Sequence, residues 1–335
     1  MKCKRTVLPL LGTAFEPGRL ADTLNEFEDE ELAEIAQAEA YFFSAQAEAC
    51  VKIVEKYLNS EDVILRMSAD MLYTFANLTL GDAMAAQMAR EDVHICLKKA
   101  LEDEIDLETQ ASCLFALYVI SVLIHIPPEK EMPLLSDYLR YLPEGQRLFA
   151  MNLLAHGAYL NQEYAKGQGM AQTAMMMAEK MYPIPFIYLN CVNAMCQINQ
   201  KDQEGARESV IRAWEIARHD KLLEPFIEHH GLLQGVLEVW VKQREPYVYK
   251  KMMDGVIAFS RGWMKIHNPE MQKAVTDLLT PVEFSIAMLA CRDWTNQGIA
   301  EHMGLSVNTV KHYVSTILEK LQIDKRDKIK EFVNQ

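Results

Sequence analysis

Apolar residues return every three or four positions through most of this chain, in runs of about 12–20 residues, and β-branched residues do not alternate with polar ones over the length of a strand. No Asn-Gly or Asp-Gly turn joins two alternating runs. The pattern predicts an all-α fold. Breaks between the runs are short, as at Asn59-Ser60, Gly81-Asp82, Pro127-Pro128 and 200–202, so successive helices are expected to be antiparallel neighbours.

The runs also repeat. A small or helix-starting residue, followed seven and eleven positions later by apolar ones, occurs at Ala47/Val54/Leu58, Ala86/Val93/Leu97, Pro127/Leu134/Tyr138, Gly167/Ala174/Ala178, Ala206/Ala213/Ala217 and Pro246/Met253/Ile257. The first members stand 39, 41, 40, 39 and 40 residues apart, a period that suits stacked helix pairs. Residues 203–217 resemble the second helix of a tetratricopeptide (TPR) repeat, so a TPR-like helix-pair solenoid is expected over 1–268. Such solenoids bury a continuous core between layers and bind peptides, proteins or small ligands on a concave face. Met175, Met176, Met177 and Met181 are expected to fill core gaps. His219, His229 and His230 lack metal-ligand spacing, and no metal is expected.

With 335 residues, half of them apolar, the chain can bury a large core. Its 34 Lys and Arg against 47 Asp and Glu leave a net charge of −13, which argues against a protein coated in nucleic acid or lying on an anionic membrane. Any nucleic-acid contact must be local. Seven cysteines, odd in number and without C-x-x-C, point to reduced, buried thiols in a cytoplasmic protein. The uncharged stretch 109–128 approaches bilayer-spanning length, but it contains Ser112, Ser121 and His125, ends in Pro127-Pro128 and lacks flanking Lys/Arg clusters; a buried core helix is expected, and no membrane contact. Residues 1–15 are broken by Pro9 and Gly12 without a cleavage pattern and do not read as a signal peptide. No phosphate loop, nucleophile–base pair or paired-carboxylate motif stands out, so neither catalysis nor a cofactor is expected.

Residues 279–335 carry a mechanism. Thr280, Pro281 and Glu283 read as N-cap, first helical residue and capping-box acid. Thr295 can cap a second helix ending at Gly304, and Ser306 can cap a third. Along that third helix Val310, Val314, Ile317 and Leu321 form an apolar stripe, while Asn308, Lys311, His312 and Ser315 form a polar one. The polar stripe suits a DNA major groove: Lys311 can donate to guanine or phosphate, Asn308 can pair with adenine, and His312 and Ser315 can reach base edges or backbone oxygens.

Leu279-Thr280-Pro281-Val282-Glu283, Thr295-Asn296-Gln297-Gly298-Ile299-Ala300 and the run 306–323 together resemble the LuxR-type (NarL/FixJ/GerE) helix-turn-helix domain of bacterial regulators. The resemblance implies a four-helix domain over 279–335 in which 307–322 is the recognition helix, Lys311, His312 and Ser315 face bases, and Thr309 and Lys320 lie near phosphates. Thr295, Asn296 and Ser306 complete the candidate DNA-binding set. A helix over 326–333 would pair two copies through Ile329, Phe332 and Val333. Three positions depart from the family pattern: Val282 stands where Arg is usual, Asp293 where Gly is, and Gly298 where Glu is. Asp tolerates a left-handed turn, so the fold should survive Asp293. The seven basic residues of 279–335 balance seven acids, so non-specific DNA affinity should be weak and dimer formation or an activating signal should matter. The region before a linker helix at 269–278 is similar in type to the helical-repeat sensor of large LuxR-type activators such as the maltose regulator, without their ATPase module.

Together these readings predict a cytoplasmic transcription regulator that binds double-stranded DNA as a homodimer under control of a small-molecule or protein effector at the repeats, with RNA polymerase a further candidate partner. The alternative is an interaction adaptor whose terminal domain serves mainly in assembly.

Overall fold

The computed structural model describes residues 5–102, 106–124, 132–233, 235–267, 279–291 and 293–329, and among these the chain is helical with no strand. A short α1 (Leu20–Leu24) precedes the helix pairs. These are α2 (Glu30–Phe43) with α3 (Ala47–Val54), α4 (Val63–Leu80) with α5 (Ala83–Glu102), and α6 (Leu107–Leu123) with α7 (Leu135–Tyr138). They continue as α8 (Glu144–Leu160) with α9 (Tyr164–Met177), α10 (Pro183–Asn199) with α11 (Gln203–Ala217), and α12 (Glu224–Leu233) with α13 (Val236–Arg244). Then come α14 (Pro246–His267), α15 (Pro281–Cys291), α16 (Asn296–Met303), α17 (Val307–Lys320) and a 3-10 turn at Arg326–Ile329. The expected linker helix at 269–278 lies outside the described residues.

Local chemistry sets the pair geometry. Asp29, Asp62 and Asp106 each accept two backbone N–H groups at the start of α2, α4 and α6. At the ends of α2, α4, α8 and α10 the chain turns through a left-handed residue, Ala45, Gly81, Gln162 and Lys201, with φ of 56°, 79°, 63° and 64°. These turns stand 36, 81 and 39 residues apart. The repeat triads on α5 and α11 (Ala86, Val93, Leu97 and Ala206, Ala213, Ala217) are fully buried.

The first helix of each pair faces inward. Phe42 and Phe43 of α2, Phe75 of α4, Val119 of α6, Phe149 of α8, Tyr188 of α10 and Glu228 of α12 meet around one interior cavity. The Phe43 and Phe149 rings lie edge-on to Tyr188. The concave face expected to be open is filled: residues 5–15 thread through it, with Val7, Leu8, Leu10 and Leu11 at most 4% exposed. Helix α14 packs on α12 and α13 and reaches back to α4 and α5, where Lys265 Nζ donates to the Gly81 carbonyl at 2.9 Å.

Helix α6 is buried nearly all round, and no helix among the described residues is long and apolar enough to cross a membrane. Six cysteines, Cys50, Cys96, Cys113, Cys191, Cys196 and Cys291, are buried thiols that form no disulfide among the described residues. Two of the four methionines depart from expectation, while Met175 packs against the core and Met181 is half-buried. Met176 and Met177 are 79% and 72% exposed, because Gly167, Ala171 and Ala174 carry the buried stripe of α9 and the two methionines fall off it.

Candidate nucleic-acid interface

The three helices α15, α16 and α17 are held by caps that the sequence announces. The Thr280 N–H donates to Glu283 Oε2 at 2.6 Å and the Glu283 N–H to Thr280 Oγ1 at 3.3 Å, which is a capping box at α15. Asp293 adopts φ 60° and turns the chain toward α16. Thr295 Oγ1 accepts from the Gly298 N–H at 3.0 Å, Gly304 ends α16 at φ 63°, and Ser306 Oγ accepts from the Thr309 N–H at 3.1 Å to begin α17. Ser306→Ala should lower the domain's stability by about 1 kcal/mol in denaturant titrations. Ile286, Leu289, Ile299, Val310 and Ile317 are fully buried where the helices meet.

The opposite face of α17 is open. Asn308, Lys311, His312 and Ser315 are all exposed, and Lys311 has no ion-pair partner among the described residues. Thr295 is exposed at the start of α16; Asn296 beside it accepts from Arg326 Nη1 through Oδ1 at 2.7 Å. Thr309 is half-buried and shares a hydroxyl hydrogen bond with Ser306 at 2.8 Å.

Lys320 and Ile329 are also engaged within the chain. Lys320 Nζ lies 2.9 and 2.7 Å from the carboxylate oxygens of Glu283, pinning α17 to α15. Burial pushes the Glu283 carboxyl up, but Lys320 and Thr280 outweigh it and hold it below the usual carboxylate range. Ile329, expected on a dimer face, is instead fully buried within its own chain. Phe332 and Val333 lie outside the described residues. Val282, where the family pattern has Arg, is half-buried and packs on the core.

These helices rest on the repeats through α15 and α16, a contact the sequence did not announce. The Phe284 ring covers Gly231 of α12, where a Cβ would stand 2.5 Å from Cε1. The Met303 side chain occupies the space where a Cβ at Gly235 would be, and Gly304 approaches Val239. The polar stripe of α17 stays exposed.

Elsewhere, Asp70, Asp92 and Cys96 come within 4.8 Å of one another. Arg66 Nε donates to Asp92 at 2.6 Å, so a protein cation already answers that charge. His229 Nδ1 faces the Pro225 carbonyl and His230 Nε2 faces Glu238, each at 2.7 Å, while His219 is exposed and apart from them.

A capped helix, a left-handed turn and a second capped helix with an exposed polar face define a helix-turn-helix DNA-binding protein. Residues 277–332 match the family described as bacterial regulatory proteins, luxR family. The chain thus carries a LuxR-type domain and is a DNA-binding transcription regulator. No curated protein and no solved structure matches the chain.

Proposed function

We propose that the protein recognises a specific promoter sequence through Asn308, Lys311, His312 and Ser315 of α17, binds it as a homodimer in the cytoplasm, and answers to an effector held by the helical repeats. The observation that carries this reading is the exposure of all four side chains on one face of a helix whose other face is core. Lys311 donates to guanine or to phosphate, Asn308 pairs with adenine, and His312 and Ser315 reach base edges or the backbone. Thr295, Asn296, Ser306 and Thr309 lie at the N-terminal ends of α16 and α17, where free N–H groups and the helix dipole favour phosphate. Lys320 acts by fixing α17 against Glu283. Residues 1–268 form the sensor, 269–278 the connection and 279–335 the DNA-binding unit. RNA polymerase is the partner expected of an activator.

The zero net charge of 279–335 makes the phosphate contribution small, so two copies must act together. Phe332 and Val333 are assigned to that pairing. Lys311→Ala should cost about 1–3 kcal/mol at the cognate site, and Phe332→Asp should weaken binding while leaving each domain folded. Titration of a labelled site across a salt series reads both; unchanged affinity in both variants overturns the docking geometry.

A further inference from the structure

Residues 5–15 are held by the repeats much as a bound peptide would be. Most anchors reach the segment's main chain. The Leu10 and Leu11 N–H groups donate to the two carboxylate oxygens of Glu39 at 2.8 and 2.9 Å, and the Leu8 N–H donates to Ser68 at 3.1 Å. Gln146 donates to the Val7 carbonyl, and the Phe15 N–H donates to the Met181 carbonyl at 3.1 Å. Residues 7–12 form a turn closed by Gly12 N–H to the Leu8 carbonyl and Thr13 N–H to the Leu10 carbonyl, and these anchors hold its backbone rather than one sequence. At the mouth the Arg5 guanidinium sits 2.9, 2.6 and 2.8 Å from Asp29, Glu31 and Asp62, carboxylates that remain open to water.

The fit is also incomplete. Leu8 stands at φ 48°, a left-handed conformation that leucine rarely adopts, immediately before Pro9. Leu8 and Leu11 leave a gap against Phe43, Phe149, Tyr188 and Glu228 with room for about one water molecule. Helix α12 connects this gap to the DNA-binding helices: Glu228 lines it, and Gly231, three residues on, seats Phe284.

We propose that this channel is a peptide-binding site whose internal occupant is the segment 5–15. Its effector is a peptide that adopts the same turn, with a basic residue followed by aliphatic ones, which displaces the segment and repositions α12. The role as effector rests on the reading that the repeats control DNA binding. The chemistry is complementary throughout, with three carboxylates for the basic residue, Glu39 and Ser68 for the main-chain amides, and an aromatic and aliphatic channel for the side chains.

The test uses the full chain and a fluorescein-labelled synthetic peptide of residues 5–15, with a scrambled peptide as control. Arg5→Glu sets like charges together at the mouth and should release the internal segment. The labelled peptide should then bind Arg5→Glu at least ten-fold more tightly than the unaltered protein, with neither binding the scrambled control. In the Arg5→Glu background, Asp29→Asn with Asp62→Asn, which keeps both helix caps, should weaken peptide binding at least five-fold. Hydrogen exchange supplies a reading independent of any variant. Amides of residues 10 and 11 that open well below the global unfolding limit support the proposal; amides that exchange only with global unfolding overturn it. It is equally overturned if neither protein takes the peptide, or if a concentration-dependent dimer resists it, which would assign the channel to a second copy. Peptide binding is measured without DNA. A protein that took the peptide and selected no DNA would therefore overturn the role assigned to α17 and leave the channel in place.

Discussion

Gly235→Val should detach the DNA-binding helices from the repeats. Gly235 stands at φ 91°, where a β-branched residue is strained by about 1–3 kcal/mol, and its new side chain would enter the space of Met303. Overpacking of that kind costs about 1–3 kcal/mol more. The overpacking falls on the small contact formed by Met303 on Gly235 and Phe284 on Gly231, while the backbone strain falls on the turn before α13. Calorimetry should then show the DNA-binding helices melting separately from and below the repeats. A single transition at the original temperature would show that the contact is not energetically significant.

A second large effect concerns pH: stability should fall as pH rises from about 5 to 9, because four buried carboxyls hold their protons well above the usual carboxylate range. Burial pushes Glu39 up to about 8 and Glu228 to about 8. Burial and the neighbouring Asp92 push Asp70 to about 9, and burial with Glu228 raises Glu224. Each carboxyl keeps a proton in the folded chain that the unfolded chain releases near pH 4, so its contribution is complete below that range and is lost as pH climbs through the folded value. His229 acts in the opposite direction. Burial lowers it to about 4, so the unfolded chain takes up the extra proton and stability declines from pH 6.5 downward. One histidine offsets only part of the slope set by four carboxyls, so stability should already be falling with pH above about 5. Melting temperatures across pH 5–9 test this, and Asp70→Asn, which imitates the protonated acid beside Asp92, should flatten the slope. A flat profile for the unaltered protein would contradict the burial account.

What could be read from the sequence was local. Thr280 with Glu283, Thr295, Gly304 and Ser306 were legible because a cap is written within three or four residues of the N–H it satisfies. The two faces of α17 were legible because one helical period sorts Val310 and Ile317 from Lys311 and His312. Contacts between distant segments left no such mark. Residues 5–15 contain Pro9 and Gly12 and show no helical period, yet they are buried by partners as remote as Ser68 and Gln146. The Lys320–Glu283 pair spans 37 residues, and a lysine on a recognition helix looks the same whether it meets phosphate or carboxylate. Gly231 and Gly235 carry no signal until Phe284 and Met303 are packed on them. Methionine suits a core or a surface equally, so only the burial of Gly167, Ala171 and Ala174 reveals that Met176 and Met177 point outward.

The central claim is that α17 reads DNA sequence through its exposed polar stripe. The most direct test is selection of genomic DNA fragments by the purified full chain at moderate salt, in the presence and absence of the 5–15 peptide, beside Lys311→Ala. The account predicts enrichment of a few promoter fragments that share an inverted repeat, lost in the variant. Enrichment equal for both proteins, or none under either condition, would contradict it.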